Sequence, residues 1–141
     1  MRCLILLLLS TLPVFAASSD EPTAQVLHYR YRNSMMLVTV AIDGRNRTLV
    51  FDTGADQTMI NFPQVSREQR MTLWQRSYVY IKERSRLKLG NTTLSIDLIK
   101  ADLTGASLLK VADGVLGEDV LSSFASVRIN YREQTIELFD R

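Results

Sequence analysis

The residues of this sequence best suited to chemistry are Asp52, Thr53 and Gly54, which directly follow the apolar run Leu49-Val50-Phe51. A carboxylate at the end of a core strand is costly unless it is paired or hydrogen-bonded, so its position needs a physical explanation. Glycine has no Cβ, which lets the backbone turn sharply and lets another group approach closely. The pattern therefore indicates a strand that presents a carboxylate at its end. The simpler structural alternative is that Asp52 only caps a turn.

A predicted hairpin positions this turn. Residues 35–42 are strongly apolar and β-branched, Asp43-Gly44 is a tight-turn signal, and residues 47–51 are the returning strand. The hairpin therefore delivers Asp52 to the end of a strand.

The rest of the chain reads as short strands separated by turn signals. We predict strands over 26–32, from Ser77 onward, and over 93–101, and a terminal hairpin of residues 127–131 and 135–139. Residues 64–74 are polar and predict an exposed loop or a short helix, 104–111 predicts a loop, and 118–124 has the composition of a short helix. The sum is an all-β domain with one short helix near the C-terminus.

A second glycine element, Asp113-Gly114-Val115-Leu116-Gly117, lies downstream of Asp52-Thr53-Gly54. Two aliphatic residues before a glycine, following an Asp-Thr-Gly triplet on a strand, resemble the short single-domain retropepsin-like aspartic proteases. The resemblance covers residues 35–139. It implies an acid-protease barrel in which the Val115-Leu116-Gly117 segment passes beside the Asp52 turn, and a symmetric homodimer.

The resemblance also implies a mechanism. Two carboxylates within hydrogen-bond reach cannot both ionise, so one acts as base toward a water and the other as acid toward the scissile carbonyl. Because the chain has one such triplet, each subunit would contribute one Asp52 across a two-fold contact. By the same resemblance, the Thr53 hydroxyl would bond across the dimer, Gly54 would place an amide near the shared site, and Ala55 and Asp56 would line the substrate groove.

The sequence departs from the family pattern in two places. The retroviral enzymes have an arginine after the second glycine, which pairs with the carboxylate at the Asp56 position, whereas this chain has Glu118. Asp56 would then pair with Arg128 or Arg132, or stay solvated. The flap that closes over bound peptide should fall between Trp74 and Leu87, and that interval contains no glycine.

The N-terminus predicts export. An apolar run from Cys3 to about Ala16 ends in Val14-Phe15-Ala16, which a signal peptidase would recognise. The run is shorter than the roughly 20 residues that span a bilayer, so removal is favoured over anchoring. We therefore predict a signal peptide over 1–16, a mature N-terminal segment over 17–33 and the protease domain over 34–141, in a periplasmic or secreted protein with no stable membrane span after signal removal.

Composition excludes several other functions. The single cysteine, Cys3, lies in the predicted signal, and His28 is the sole histidine, so no disulfide, no thiol nucleophile and no zinc site are expected. No serine stands in a nucleophile-elbow sequence. Without residues 1–16 the chain has 16 basic and 15 acidic residues, which gives no support to a nucleic-acid partner. No cofactor or metal is expected.

Two functions remain open at this level. The first is a dimeric aspartic endopeptidase acting on a peptide or protein substrate. The second is a catalytically inactive peptide-binding or assembly module that kept the fold. A monomer whose groove is never completed is a third possibility.

Overall fold

The computed structural model describes residues 24–65, 69–73 and 76–141. In chain order its strands are β1 Ala24–His28, β2 Arg30–Arg32, β3 Met35–Ile42, β4 Arg45–Phe51, β5 Met59–Asn61, β6 Gln69–Leu73, β7 Arg76–Leu89, β8 Thr92–Ala101, β9 Gly114–Leu116, β10 Ser126–Asn130 and β11 Thr135–Phe139. A 3-10 helix spans Ser107–Lys110, and the α-helix α1 spans Glu118–Leu121. The predicted fold class, all-β with one short helix, is confirmed.

The strands form one large sheet that curls toward closure and one small sheet. The large sheet has the order β2-β3-β4-β9-β5-β8-β7-β6, and β3 also pairs with β7 through Ala41 and Ile42. The second pairing of β3 joins β3, β4, β9, β5, β8 and β7 in a barrel-like ring. The small sheet has the order β1-β11-β10, so the first described strand pairs with the last one.

Apolar side chains fill both sides of the large sheet. On one side, Val38 and Val40 of β3 pack in a cluster that also contains Ile136 and Leu138 of the small sheet. On the other side, Leu37 packs in a second cluster under the 102–112 segment. Successive residues of a strand point to opposite faces, so a strand buried on both faces is apolar almost throughout. That explains why β3 is apolar at every position except the exposed Thr39.

The β3–β4 hairpin has the predicted tight turn. Asp43 and Gly44 have φ values of 48° and 79°, and Ile42 pairs directly with Arg45. Positive φ at both central residues matches the right-handed twist of the two strands, and Asp-Gly tolerates it well. The terminal hairpin of β10 and β11 is also confirmed.

Four stretches differ from the expectations. Within the predicted loop 104–111, Ser107–Lys110 forms a 3-10 helix. The predicted strand 26–32 is broken at Tyr29, which is buried and divides β1 from β2 in different sheets. The predicted loop or short helix of 64–74 is wrong over Gln69–Leu73, which is strand β6; this polar segment is extended because β7 pairs with it. The helix predicted over 118–124 ends at Leu121.

The predicted signal peptide, residues 1–16, lies outside the described residues and stays a prediction. Within the described part of the chain, no helix has the length and apolar character needed to cross a membrane. Residues 24–32, assigned above to a segment before the domain, contribute β1 and β2, which pair with β11 and β3.

Candidate active site

Asp52 follows the last residue of β4 and begins a tight turn. Its N–H donates to the Leu116 carbonyl at 3.1 Å, and its own carbonyl accepts from the Ala55 N–H at 3.3 Å. The Gly54 N–H donates to Asp52 Oδ1 at 2.8 Å. Both the backbone and the half-buried carboxylate of Asp52 are therefore fixed by hydrogen bonds.

The turn rests on three adjacent strands. Strand β9 lies between β4, with which it is parallel, and β5, with which it is antiparallel. Gly114 allows this close packing: a Cβ there would lie 2.0 Å from the Met59 carbonyl oxygen and 2.8 Å from the Ile60 Cα. The Val115-Leu116-Gly117 segment thus passes beside the Asp52 turn, as the resemblance implied.

Gly117 brings the end of β9 against the segment that follows Asp52. A Cβ on Gly117 would lie 2.7 Å from both the Ala55 carbonyl oxygen and the Gln57 carbonyl carbon. Its N–H donates to Thr58 Oγ1 at 3.0 Å, and Thr58 is completely buried. The second glycine element therefore has a steric reason at each of its two glycines.

Asp119 organises the same junction. Its Oδ1 accepts from the Thr58 N–H at 2.9 Å, the Thr58 hydroxyl at 2.7 Å and the Val120 N–H at 3.0 Å. The chain of contacts from Asp119 to Thr58 to Gly117 ties α1 and β9 to the segment just after the Asp52 turn. A carboxylate acceptor forms stronger hydrogen bonds than a neutral one, so this link stiffens the site.

A cavity of about 490 Å³ opens beside Asp52. Its lining combines the Asp52 turn with strands β5, β6, β7, β8 and β9: Asp52, Gly54, Ala55, Asp56, Gln57, Met59, Met71, Tyr80, Lys82, Ile99 and Val115. Met71 and Tyr80 come from the β6–β7 hairpin, which therefore forms part of the cavity wall. The hairpin is the candidate flap; its first strand begins at Gln69, earlier than predicted, and its turn at 74–75 lies outside the described residues.

Asp52 also borders a second, smaller cavity of about 240 Å³, lined by Met35, Val50, Ser107, Leu108 and Val115. Four of these five side chains are apolar. Asp52 thus borders two cavities whose walls include several apolar side chains.

The structure brings the predicted site residues together. Ala55 and Asp56 line the larger cavity, but the Ala55 carbonyl accepts from the Glu118 N–H at 2.7 Å and the Asp56 carbonyl from the Asp119 N–H at 3.3 Å. Each of these carbonyl oxygens therefore has one acceptor position already occupied. Thr53 is exposed at the turn.

Asp56 is exposed and has no ion pair within residues 24–65, 69–73 and 76–141. Arg128, one of the two partners considered for it, pairs with Glu137 at 3.1 Å. Of the alternatives left open by the sequence, a solvated Asp56 fits the described residues.

Sequence reasoning missed Thr58 and Asp119 as residues of the site. The signal available for them was weak, because a threonine and an aspartate 61 positions apart carry no local pattern. Sequence reasoning also missed Met71, because the polar residues around Met71 give strand β6 no apolar alternation.

No family model matches the sequence, and no curated protein matches it. Among solved structures, a retropepsin-like aspartic protease from Rickettsia conorii superposes with a TM-score of 0.57 at 15% identity, covering 84% of this chain and 94% of that one. EIAV protease complexed with the inhibitor HBY-793 superposes with a TM-score of 0.50 at 14% identity, covering 66% of this chain and 91% of that one. The chain has the retropepsin-like fold, and the predicted resemblance is confirmed at that level.

Proposed function

We propose that this protein is an aspartic endopeptidase in which two copies of Asp52, one from each subunit of a homodimer, activate a water against a peptide bond. The observation that carries the proposal is the placement of Asp52. Its carboxylate accepts the Gly54 N–H at the end of a core strand, and Asp52 borders two cavities, the larger of which is also lined by Met71 and Tyr80 of the β6–β7 hairpin. The fold shared with aspartic proteases supports the same class of chemistry.

A dimer is required by the chemistry. One carboxylate can be a base or an acid, but amide hydrolysis of this type needs both at once, and two adjacent carboxylates sharing a proton supply them. The second catalytic carboxylate would come from the partner's copy of the same turn. The exposed Thr53 hydroxyl at that turn is available for a hydrogen bond across a two-fold contact.

The cavities indicate the substrate class. Met59, Met71, Tyr80, Ile99 and Val115 give the larger cavity a mostly apolar wall. Desolvating apolar side chains is favourable at about 25 cal/mol per Å², so an extended peptide with apolar residues flanking the scissile bond fits best.

The test is hydrolysis of a diverse peptide library, from acid to neutral pH, by the protein lacking residues 1–16. Asp52→Asn keeps an oxygen for the Gly54 N–H, so the variant should fold and dimerise while cleavage is lost. Asp97→Asn, an exposed carboxylate paired with Arg84, is the matched control and should cleave normally. Rate per chain should rise with protein concentration. Cleavage that survives in Asp52→Asn would refute the proposal.

A peptide-binding module without hydrolysis is the second candidate, because a single chain already forms the larger cavity. It predicts saturable peptide binding by a folded protein with no products on long incubation. Sedimentation at low and high concentration separates a dimer from a monomer whose groove is incomplete.

We further propose that the protein is exported to a periplasm or secreted after removal of residues 1–16. The support is the apolar run 3–16 with small residues at its end. N-terminal sequencing of the protein from the fractionated producing cell tests this, and an intact Met1 in a cytoplasmic fraction would contradict it.

A further inference from the structure

A groove separate from the cavity beside Asp52 carries two arginines that have no ion-pair partner among the described residues. Arg45 and Arg47 line a cavity of about 530 Å³ and an adjoining one of about 260 Å³, and Phe62 borders both. Neither cavity shares a lining residue with the 490 Å³ cavity beside Asp52. We call this double cavity the Arg45–Arg47 groove.

The strand pattern explains why two guanidinium groups lie there. Alternate residues of β4 share a face, so Arg45 and Arg47 are on the same side as Leu49 and Phe51, which are fully or almost fully buried. That face therefore changes from apolar to cationic toward the β3–β4 turn. Arg47 is half-buried and stands opposite the buried Val40. Its aliphatic stem can pack while its charged head meets the groove.

Neither arginine is neutralised in the part of the chain that the structure describes. The ion pairs there join Arg84 to Asp97, Lys100 to Glu83 and Arg128 to Glu137. No hydrogen bond from the Arg45 or Arg47 side chain is found within these residues. A partly desolvated charge without a partner is unfavourable, and an incoming anion would remove that penalty.

The two carboxylates in the groove wall are already engaged by backbone groups. Asp113 Oδ2 accepts the Thr48 N–H at 2.8 Å, and Asp43 Oδ1 accepts the Arg86 N–H at 2.9 Å. They reduce the positive potential of the groove but leave the ten N–H donors of the two guanidinium groups uncommitted. Lys100 also lines the groove, but Glu83 neutralises its ammonium, so the cations available to a ligand are the two guanidinium groups.

The other residues of the groove wall indicate which chemical group should be attached to the anionic group of a ligand. Phe62, Pro63, Leu109 and Ala112 are apolar or aromatic. The Lys100 ammonium lies 5.5 Å from the centroid of the Phe62 ring and is paired with Glu83. Guanidinium donors and an aromatic ring therefore line the same groove, with the Lys100 ammonium over one face of that ring.

We propose that the Arg45–Arg47 groove is a binding site for a small organic anion, in which a carboxylate or phosphate group meets the two guanidinium groups and an attached apolar ring packs against Phe62. Planar guanidinium forks match the oxygens of carboxylate and phosphate in pairs, which a lysine cannot reproduce. This site is independent of the proposed proteolysis at Asp52.

Titration by NMR of the protein lacking residues 1–16 tests the proposal with three probes: phenyl phosphate, phenylacetate and inorganic phosphate. Benzyl alcohol is the neutral analogue. Saturable shifts of the Arg45 and Arg47 side-chain signals are expected for the aromatic anions, with a Kd of about 1 mM or tighter. The tighter of the two aromatic anions identifies the headgroup. Equal binding of benzyl alcohol, or no saturable shift with any anion, would overturn the proposal.

Variants locate the site. Arg45→Gln and Arg47→Gln should each weaken binding about tenfold, and Arg47→Lys should weaken it nearly as much, because charge without the fork is insufficient. Because Arg45 is exposed, Arg45→Gln should fold, and it tests the site even if a change at the half-buried Arg47 prevents folding. Arg132→Gln, which removes an exposed arginine elsewhere, should leave the affinity unchanged, as should Asp52→Asn. An equal loss in Arg132→Gln would show that only net charge matters and would contradict a built site.

Discussion

Asp119 offers the sharpest test of how the site is held together. In Asp119→Ala, the Thr58 N–H and the Thr58 hydroxyl lose their acceptor, while the Val120 N–H keeps a second acceptor, the Gly117 carbonyl at 3.2 Å. Thr58 is completely buried and Asp119 is half-buried, so solvent can compensate only part of the loss. Each orphaned buried group costs about 1–3 kcal/mol, and the pair should reduce the free energy of unfolding by about 3 kcal/mol.

Asp119→Asn separates the role of the acceptor from the role of the charge. The amide oxygen can accept the same hydrogen bonds, without the added strength that a charged acceptor gives, so a loss of about 1 kcal/mol is expected. Both variants are compared with the parent by urea unfolding at pH 7 and by thermal melting, where 3 kcal/mol corresponds to roughly 10 °C for a domain of this size.

A double-mutant cycle with Thr58→Val completes the experiment. Valine removes the hydroxyl from Thr58 while keeping its shape, so the effects of Asp119→Ala and Thr58→Val should overlap instead of adding. A cost below about 1 kcal/mol for Asp119→Ala, or equal costs for the alanine and asparagine variants, would refute the view that this acceptor anchors the junction. Strict additivity of the two changes would refute the direct contact.

Three further changes probe the close packing, the dimer contact and the acid stability. Gly114→Ala places a Cβ 2.0 Å from the Met59 carbonyl oxygen, so it should lower the free energy of unfolding by about 3 kcal/mol or more. Gly44→Ala has open space around the new Cβ and is opposed only by the positive φ of residue 44, so a loss of about 1 kcal/mol is expected. Equal losses by urea unfolding would contradict the steric argument. Thr53→Ala should change the stability of the single chain by less than about 0.5 kcal/mol because Thr53 is exposed. The same variant should lower specific activity, most strongly at low protein concentration. Thr53→Ser should restore the specific activity, and sedimentation measures the dimer directly. The backbone N–H of Arg86 holds the pKa of Asp43 below its ordinary value of 3.8. Ionised Asp43 therefore stabilises the fold above pH 3.8, and this stabilisation is lost as the pH falls through the lowered pKa. The stability difference between the parent and Asp43→Asn should therefore be constant near neutral pH and shrink below about pH 4, and a difference that grows toward acid would contradict the assignment.

Much of the site was predictable because its signal is local. An apolar strand ending in Asp-Thr-Gly, the Asp43-Gly44 turn and the two aliphatics before Gly117 each lie within a few residues, and each has its own steric or solvation reason. The hairpins followed from the same kind of pattern. Strand β6 was not predictable, because its extended form comes from pairing with β7 and not from its own polar residues.

Hydrophobic alternation is a property of short segments, so the sequence alone identified the carboxylate that ends a core strand. It assigned a close backbone approach to Gly54, whereas the tight contacts lie at Gly114 and Gly117, where a Cβ would come within 2.0 Å and 2.7 Å of neighbouring backbone atoms. Only the tertiary structure decided what each aspartate does. Three aspartates stand near a glycine and have different roles. Asp52 borders two cavities, Asp113 accepts the Thr48 N–H, and Asp119 ties Thr58 to α1. Those roles depend on partners about 60 positions away for Asp113 and Asp119, and long-range strand pairing, not local preference, brings such partners together.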